Sequence, residues 1–256
     1  MIELYELAKN KSNIYSKSGA VVVSSEYEVI KLAEDKWKLA LFLEQNGYPY
    51  ASSIIPDNSI SLKRFLKAHD FPFIIKDRFG SGSQGFARIH DALDMDYFIQ
   101  KIENPVLQEY LFPDDEEYTV GVFIEEENSF SIVMKRLLNL GMTWKAEILP
   151  GHEFGTFCED VARKIGLTGP ANLQLRNTKK GPVIFEINPR LSSTTASRAL
   201  FGYNDPEMCI KKYVLKEPLK RPEIIRGRLF RKIEELKVCC DRFNQVQKTG
   251  YISNNE

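Results

Sequence analysis

The chain has 256 residues and 43% of them are apolar, ample material for a core in one multi-lobed enzyme or two small domains. Thirty-five Lys and Arg balance 35 Asp and Glu, which excludes the strongly basic footprint of non-specific nucleic-acid or membrane binding but leaves room for a local basic pocket. The longest apolar runs, at 20–23 and 73–75, fall far short of the ~20 residues that span a bilayer, and the start Met1-Ile2-Glu3-Leu4 lacks the basic-then-apolar pattern of a signal peptide.

In chain order, Leu4, Leu7 and Ala8 share a helical face, and Gly19-Ala20-Val21-Val22-Val23 reads as one buried strand. Ser24-Ser25-Glu26 starts a helix carrying Val29, Ile30, Leu32 and Ala33. A helix over 36–46 follows, with Trp37 reading as core; Gly47 and Pro49 stop it. A second helix spans 59–69, with Leu62, Phe65 and Leu66 on one face. The period then changes: 73–76 is a strand, 80–85 a Gly/Ser loop and 86–89 a returning strand. A helix over 95–102 precedes strands over 106–111, 118–125 and 130–134, the last running toward a loop at Asn139-Leu140-Gly141. Phe154, Phe157, Val161, Ala162 and Ile165 recur at helical spacing up to Gly166, with His152 as a helix-start residue. Strands over 172–176 and 183–187 flank the polar turn 177–181, and 223–231 alternates as an edge strand before a polar tail. The class is mixed α/β (α+β) with largely antiparallel sheets. Cys158, Cys209, Cys239 and Cys240 form no C-x-x-C pair and the adjacent pair suits no disulfide, which reads as a reduced, cytoplasmic protein.

Gly80, Gly82 and Gly85 satisfy G-x-G-x-x-G, but a strand follows where a dinucleotide site needs a helix, and no Gly-Lys-Ser/Thr ends the loop. What remains is a strand–loop–strand flap entered by Lys76. Small residues let backbone N–H groups approach phosphate oxygens, and a lysine offsets their charge; a plain mobile hairpin is the competing reading. In the strand over 183–187, Glu186 and Asn188 point to one side. With a loop centred near Lys179, Gln174 pairs near Ile184 and shares the face of Glu186, giving one carboxylate and two amide oxygens suited to Mg2+. A salt bridge from Glu186 to Arg190 or Arg176 is the alternative. Arg190, just past Pro189, is suited to grip a carboxylate or phosphate with two prongs. Arg136, Lys145 and Arg198 are further basic candidates for an acceptor pocket. Tyr110, Phe112, Tyr118 and Trp144 read as packing.

These segments stand in a meaningful order. Asp35-Lys36 opens a helix ending Asn46-Gly47-Tyr48-Pro49; then come Phe73-Ile74-Ile75-Lys76, the flap, Gln108-Glu109-Tyr110-Leu111, Glu117-Tyr118-Thr119-Val120 and Phe185-Glu186-Ile187-Asn188-Pro189-Arg190. Over about residues 5–216 the chain resembles ATP-grasp enzymes, in particular the synthetase domains of the carbamoyl-phosphate synthase large subunit. The resemblance implies a nucleotide between two antiparallel lobes, 35–107 with the flap and 108–222 with the metal, followed by a C-terminal strand and tail at 223–256. It implies ATP contacts from Lys36 and Lys76, flap closure by Gly80, Ser81, Gly82, Ser83 and Gly85, an adenine connection at Gln108, Glu109, Tyr110 and Leu111, and ribose contacts from Glu117. It assigns metal ligation to Gln174, Glu186 and Asn188, and stabilisation of an acyl phosphate to Arg190.

The implied activity is ATP- and Mg-dependent ligation of a small-molecule carboxylate to an amine or thiol, with Mn2+ as the substitute ion. A nucleotide-binding subunit and a small-molecule kinase are the alternatives. Asp114-Asp115 stands where relatives often have glycine, and Gly121 where many have an acidic residue. Relatives usually begin with an open α/β domain of roughly a hundred residues. Residues 1–34 read as its remnant, so the expected partners beyond the two substrates are a second copy or a separate N-terminal-domain polypeptide.

Overall fold

Two antiparallel sheets carry the fold of residues 2–57, 59–80, 85–126 and 128–232, which are described by a computed structural model of the chain. The smaller sheet has the order β1-β4-β2-β3, from β1 (Ser53–Ile54), β2 (Phe73–Asp77), β3 (Phe86–Ile89) and β4 (Pro105–Glu109). α5 (Ser59–Ala68) and α6 (Ala92–Lys101) cover one face, burying Phe65, Phe73, Ile75, Ile89, Met95 and Leu107.

The larger sheet has the order β10-β7-β6-β5-β8-β9. Its strands are β5 (Glu117–Ile124), β6 (Ser129–Asn139), β7 (Met142–Ile148), β8 (Gly169–Thr178), β9 (Gly181–Asn188) and β10 (Gly227–Phe230). Alternation sorts β5 cleanly. Tyr118, Val120, Val122 and Ile124 pack under α7 (Glu153–Ile165), while Phe123 joins a second core formed with Tyr203 and Met208. β10 is the expected edge strand.

α3 (Tyr27–Glu34) and α4 (Lys36–Gln45) complete the larger core through Ala33, Leu39 and Leu43. Asp35 caps α4, its Oδ1 accepting the Lys38 N–H at 3.0 Å. Gly47, at φ 75°, ends the helical run as expected. His152 caps α7 by accepting the Phe154 N–H, and Gly166 at φ 88° closes it.

Several expectations are corrected. Residues 19–23 form no strand: Gly19 at φ 71° closes α2 (Lys11–Ser18), after α1 (Ile2–Lys9), and the chain then runs without a ladder partner. Ser25 Oγ takes the place of a ladder there, bonding the Thr168 N–H and carbonyl. Trp37 is half-buried beneath the Arg78 guanidinium, 5.0 Å from its ring, and its neighbour Lys36 is the buried residue. Phe112 is exposed and Trp144 half-buried, while Tyr118 is core. β7, α8 (Thr195–Ala199), α9 (Asp205–Cys209) and the π-helical turn Ile210–Leu215 are additional elements. The polar tail and Cys239-Cys240 lie outside the described residues; Cys158 and Cys209 are free thiols.

Candidate active site

The two sheets face each other across a cleft. Lys36, the first residue of α4, donates through Nζ to the Gly80 carbonyl. Lys76 on β2 is buried; its Nζ donates to Gln108 Oε1 at 2.9 Å and to the Phe185 carbonyl at 3.4 Å. Ser53 Oγ accepts the Gln108 amide N–H at 2.7 Å, which turns the amide oxygen toward the lysine. Burial, reinforced by the like charge of Lys36 and opposed by Glu186, pushes the Lys76 ammonium down to about 7. Burial likewise lowers Lys36, with Glu186 and Asp77 opposing it.

Past the end of β4 the chain crosses between the sheets. The Glu109 side chain is engaged by the Ser52 N–H at 2.7 Å and Lys180 at 2.5 Å, Tyr110 and Leu111 line the cleft, and Leu111 packs with Ala51 and Val183. Asp114 has a structural role in place of glycine: it accepts the Tyr110 hydroxyl at 2.5 Å and lies 3.4 Å from Arg176. Glu117, at the start of β5, is held on both oxygens, by Arg136 at 2.8 Å and Arg176 at 2.6 Å.

Glu186 reaches the cleft through a β-bulge. The register runs Leu175↔Ile184 and then Gln174↔Glu186, leaving Phe185 as the extra residue. This corrects the expected pairing of Gln174 near Ile184. A regular ladder would set Glu186 opposite Leu173, on the core face; the bulge turns it to face Gln174 while Ile184 and Ile187 both stay in the core. Asn188 Nδ2 donates to Glu186 Oε1 at 2.8 Å, Arg190 Nη2 to Asn188 Oδ1 at 3.3 Å, and Arg136 Nη2 to Gln174 Oε1 at 2.7 Å. The alternative salt bridge is absent: Arg176 binds Glu117 and Arg190 binds Asn188, so Glu186 has no ion-pair partner among the described residues.

The cleft continues into a second, polar chamber that shares Arg136, Leu138, Gln174 and Glu186 with the first. Its walls add Thr119, Asn172, Asn188, Arg190 and the hydroxyl loop Ser192, Ser193 and Thr194. Thr119 and Asn172 escaped the sequence reading, although each sits two residues along a strand from a named site residue, Glu117 and Gln174, on the same face. Of the three basic candidates, Arg136 stands at the boundary of the chambers, Arg198 is buried behind the second, and Lys145 is exposed on β7, outside both. Gly80 lines the cleft, whereas Gly85, at φ 64°, closes the flap base by accepting the Asp77 N–H and lines neither chamber. Ser81, Gly82 and Ser83 lie outside the described residues.

The family model described as ATP-grasp in the biosynthetic pathway with Ter operon matches residues 101–236, more than half of the chain. Carbamoyl phosphate synthase large chains are similar: that of Pseudothermotoga lettingae is 25% identical over 202 residues and that of Clostridium beijerinckii 23% over 209. These matches take in 70% and 72% of this chain but 18% of each relative. Among solved structures, N5-carboxyaminoimidazole synthetase from Staphylococcus aureus, complexed with ADP, superposes with a TM-score of 0.72 at 17% identity, over 94% of this chain and 67% of that one. The biotin carboxylase domain of Hydrogenobacter thermophilus 2-oxoglutarate carboxylase, in complex with MgADP, ADP and bicarbonate, gives 0.70 at 16% identity, over 87% and 55%.

Proposed function

The chain belongs to the ATP-grasp family, and from that premise we propose that it is an ATP- and Mg-dependent ligase that activates a small-molecule carboxylate as an acyl phosphate for attack by an amine or similar nucleophile. One observation carries the reading: Glu186, a carboxylate with no ion-pair partner among the described residues, stands opposite Gln174 where the two chambers meet. The superposition on structures bound to ADP and MgADP supports the nucleotide half of it.

The residues present fit Mg2+. Among the described residues no three His, Cys, Asp or Glu side chains gather to hold a metal alone. A single carboxylate with amide oxygens suits a small hard cation that takes its remaining ligands from phosphate and water. Gln174, Glu186 and Asn188 would hold it, the amide oxygens sharing their second lone pair with Arg136 and Arg190. Bound there, the ion would neutralise charge on the transferring phosphoryl group.

The chain's own side chains divide the remaining work. Lys76 from the smaller sheet and Lys36 from the start of α4 reach phosphate oxygens, and the apolar wall of Ile74, Phe86, Leu138 and Phe185 receives the base. The connection 108–111 offers backbone groups to its edge, and Glu117 meets the ribose. Arg190 grips the carboxylate in the second chamber, so that one of its oxygens attacks the γ-phosphorus and ADP leaves. An amine then attacks the acyl carbon and phosphate leaves with the carboxylate oxygen. Water must be kept out of the closed cleft, since it would consume the anhydride.

A screen for ADP release with Mg-ATP against small carboxylates, with and without amines, tests the reading. ADP and phosphate are expected only with the right carboxylate, and Glu186→Gln lowers the rate by about two to three orders of magnitude. Release of AMP overturns it; build-up of a phosphorylated product inert to hydroxylamine makes the protein a kinase instead.

A further inference from the structure

Arg198 and Asp205 have no exposed side-chain surface, and their Nη2 and Oδ2 atoms lie 2.7 Å apart behind the second chamber. The guanidinium lies against β5 at Gly121. A Cβ there would stand 1.9 Å from Nη1, so glycine at this position is what makes room for the arginine.

The guanidinium also lies over the Tyr203 ring, 5.8 Å from its centroid, and its other hydrogen-bonding contacts lead toward the chamber. Nη1 lies 3.4 Å from Asn172 Oδ1, which also accepts the Thr119 hydroxyl at 2.9 Å. Nη2 donates to Ser192 Oγ and Thr195 Oγ1, each at 3.2 Å. Ser192 in turn bonds Thr194 Oγ1 at 2.8 Å and gives its N–H to Thr195 Oγ1. Thr119, Asn172, Ser192 and Thr194 line the chamber, and the loop they help hold begins directly after Arg190.

Stability alone does not call for such a pair, because an apolar pair of similar volume is often as stable as a buried ion pair. A planar fork with fixed donor directions is needed where several acceptors must be held in a set geometry. We infer that Arg198, neutralised by Asp205 and admitted by Gly121, is a positioning residue for the second chamber, fixing Asn172 and the loop at 191–195 and through them the place of the carboxylate that Arg190 grips.

The inference rests on the ligase reading for its functional half. Two variants test it by different routes: Arg198→Met/Asp205→Leu replaces the pair with apolar volume, and Gly121→Ala displaces the guanidinium without removing it. Each is compared with the wild type for unfolding temperature, Mg-ATP affinity by calorimetry, amide exchange at 191–195, and KM for the carboxylate that drives ADP release. A folded variant is expected to keep its Mg-ATP affinity, lose protection at 191–195, and raise that KM about tenfold to a hundredfold. Arg198→Lys, with the charge but not the fork, is expected to fall short of rescue. A variant that folds and keeps wild-type protection and KM overturns the inference, and if one variant does not fold the other decides. If no carboxylate drives ADP release from the wild type, the ligase reading fails, while the exchange comparison still decides whether Arg198 holds the loop.

Discussion

Lys76 is a buried ammonium whose nearest oxygens belong to an amide and a backbone carbonyl. Because burial holds it at about 7, the folded protein binds fewer protons than the unfolded chain between that value and the ordinary lysine range near ~10.4. Stability therefore rises with pH across this window, and the full cost of the charge is felt below it. Phosphate oxygens favour the ammonium, so on the proposed reading nucleotide binding above pH 7 would take up a proton. Calorimetry between pH 6 and 9 is expected to show Mg-ATP affinity falling by up to about tenfold per unit above neutrality. Lys76→Met is expected to flatten that profile, weaken binding about a hundredfold, and raise stability to urea at pH 6 by about 1–4 kcal/mol. Unchanged stability in this variant would mean that the ammonium is better solvated than its surroundings indicate.

At the scale of elements, Asp35 ties α4 to the base of the flap. It caps the helix and grips Arg78 with both oxygens, at 2.8 and 2.7 Å, while the Lys36 N–H donates to the Arg78 carbonyl. Asp35→Ala removes the cap and strands the guanidinium, so urea unfolding is expected to show a loss of about 3 kcal/mol together with weaker Mg-ATP binding through a displaced Lys36. The Gly47 stop of the helix over 36–46, the helix over 153–165 and the hairpin turn after Thr178 were legible because each rests on local chemistry. The bulge at Phe185 was not, since a large apolar residue in a strand carries no mark of a register shift; Glu186 was placed on the right face through the wrong pairing. β7 escaped because its buried positions include Thr143 and Ala146, which leave no apolar alternation. The apolar run at 20–23 misled for the opposite reason, having strand composition without a neighbour to bond.

Across the whole molecule, the first chamber follows the order of motifs along the chain, and the second does not. Its walls come from β5, β6, β7, β8, the end of β9 and the loop before α8, and their meeting depends on the larger sheet and the Arg198–Asp205 pair behind it. That is why Arg190 and Glu186 were readable in sequence while Thr119, Asn172 and the hydroxyl loop were not. The chain spans 18% of the length of the curated relatives it matches. On the ligase reading, a carboxylate oxygen becomes bonded to phosphorus in the cleft. Turnover with the carboxylate labelled in both oxygens with 18O measures this directly: one label per turnover is expected in the released phosphate, and label in AMP, or unlabelled phosphate alongside product, would contradict the account.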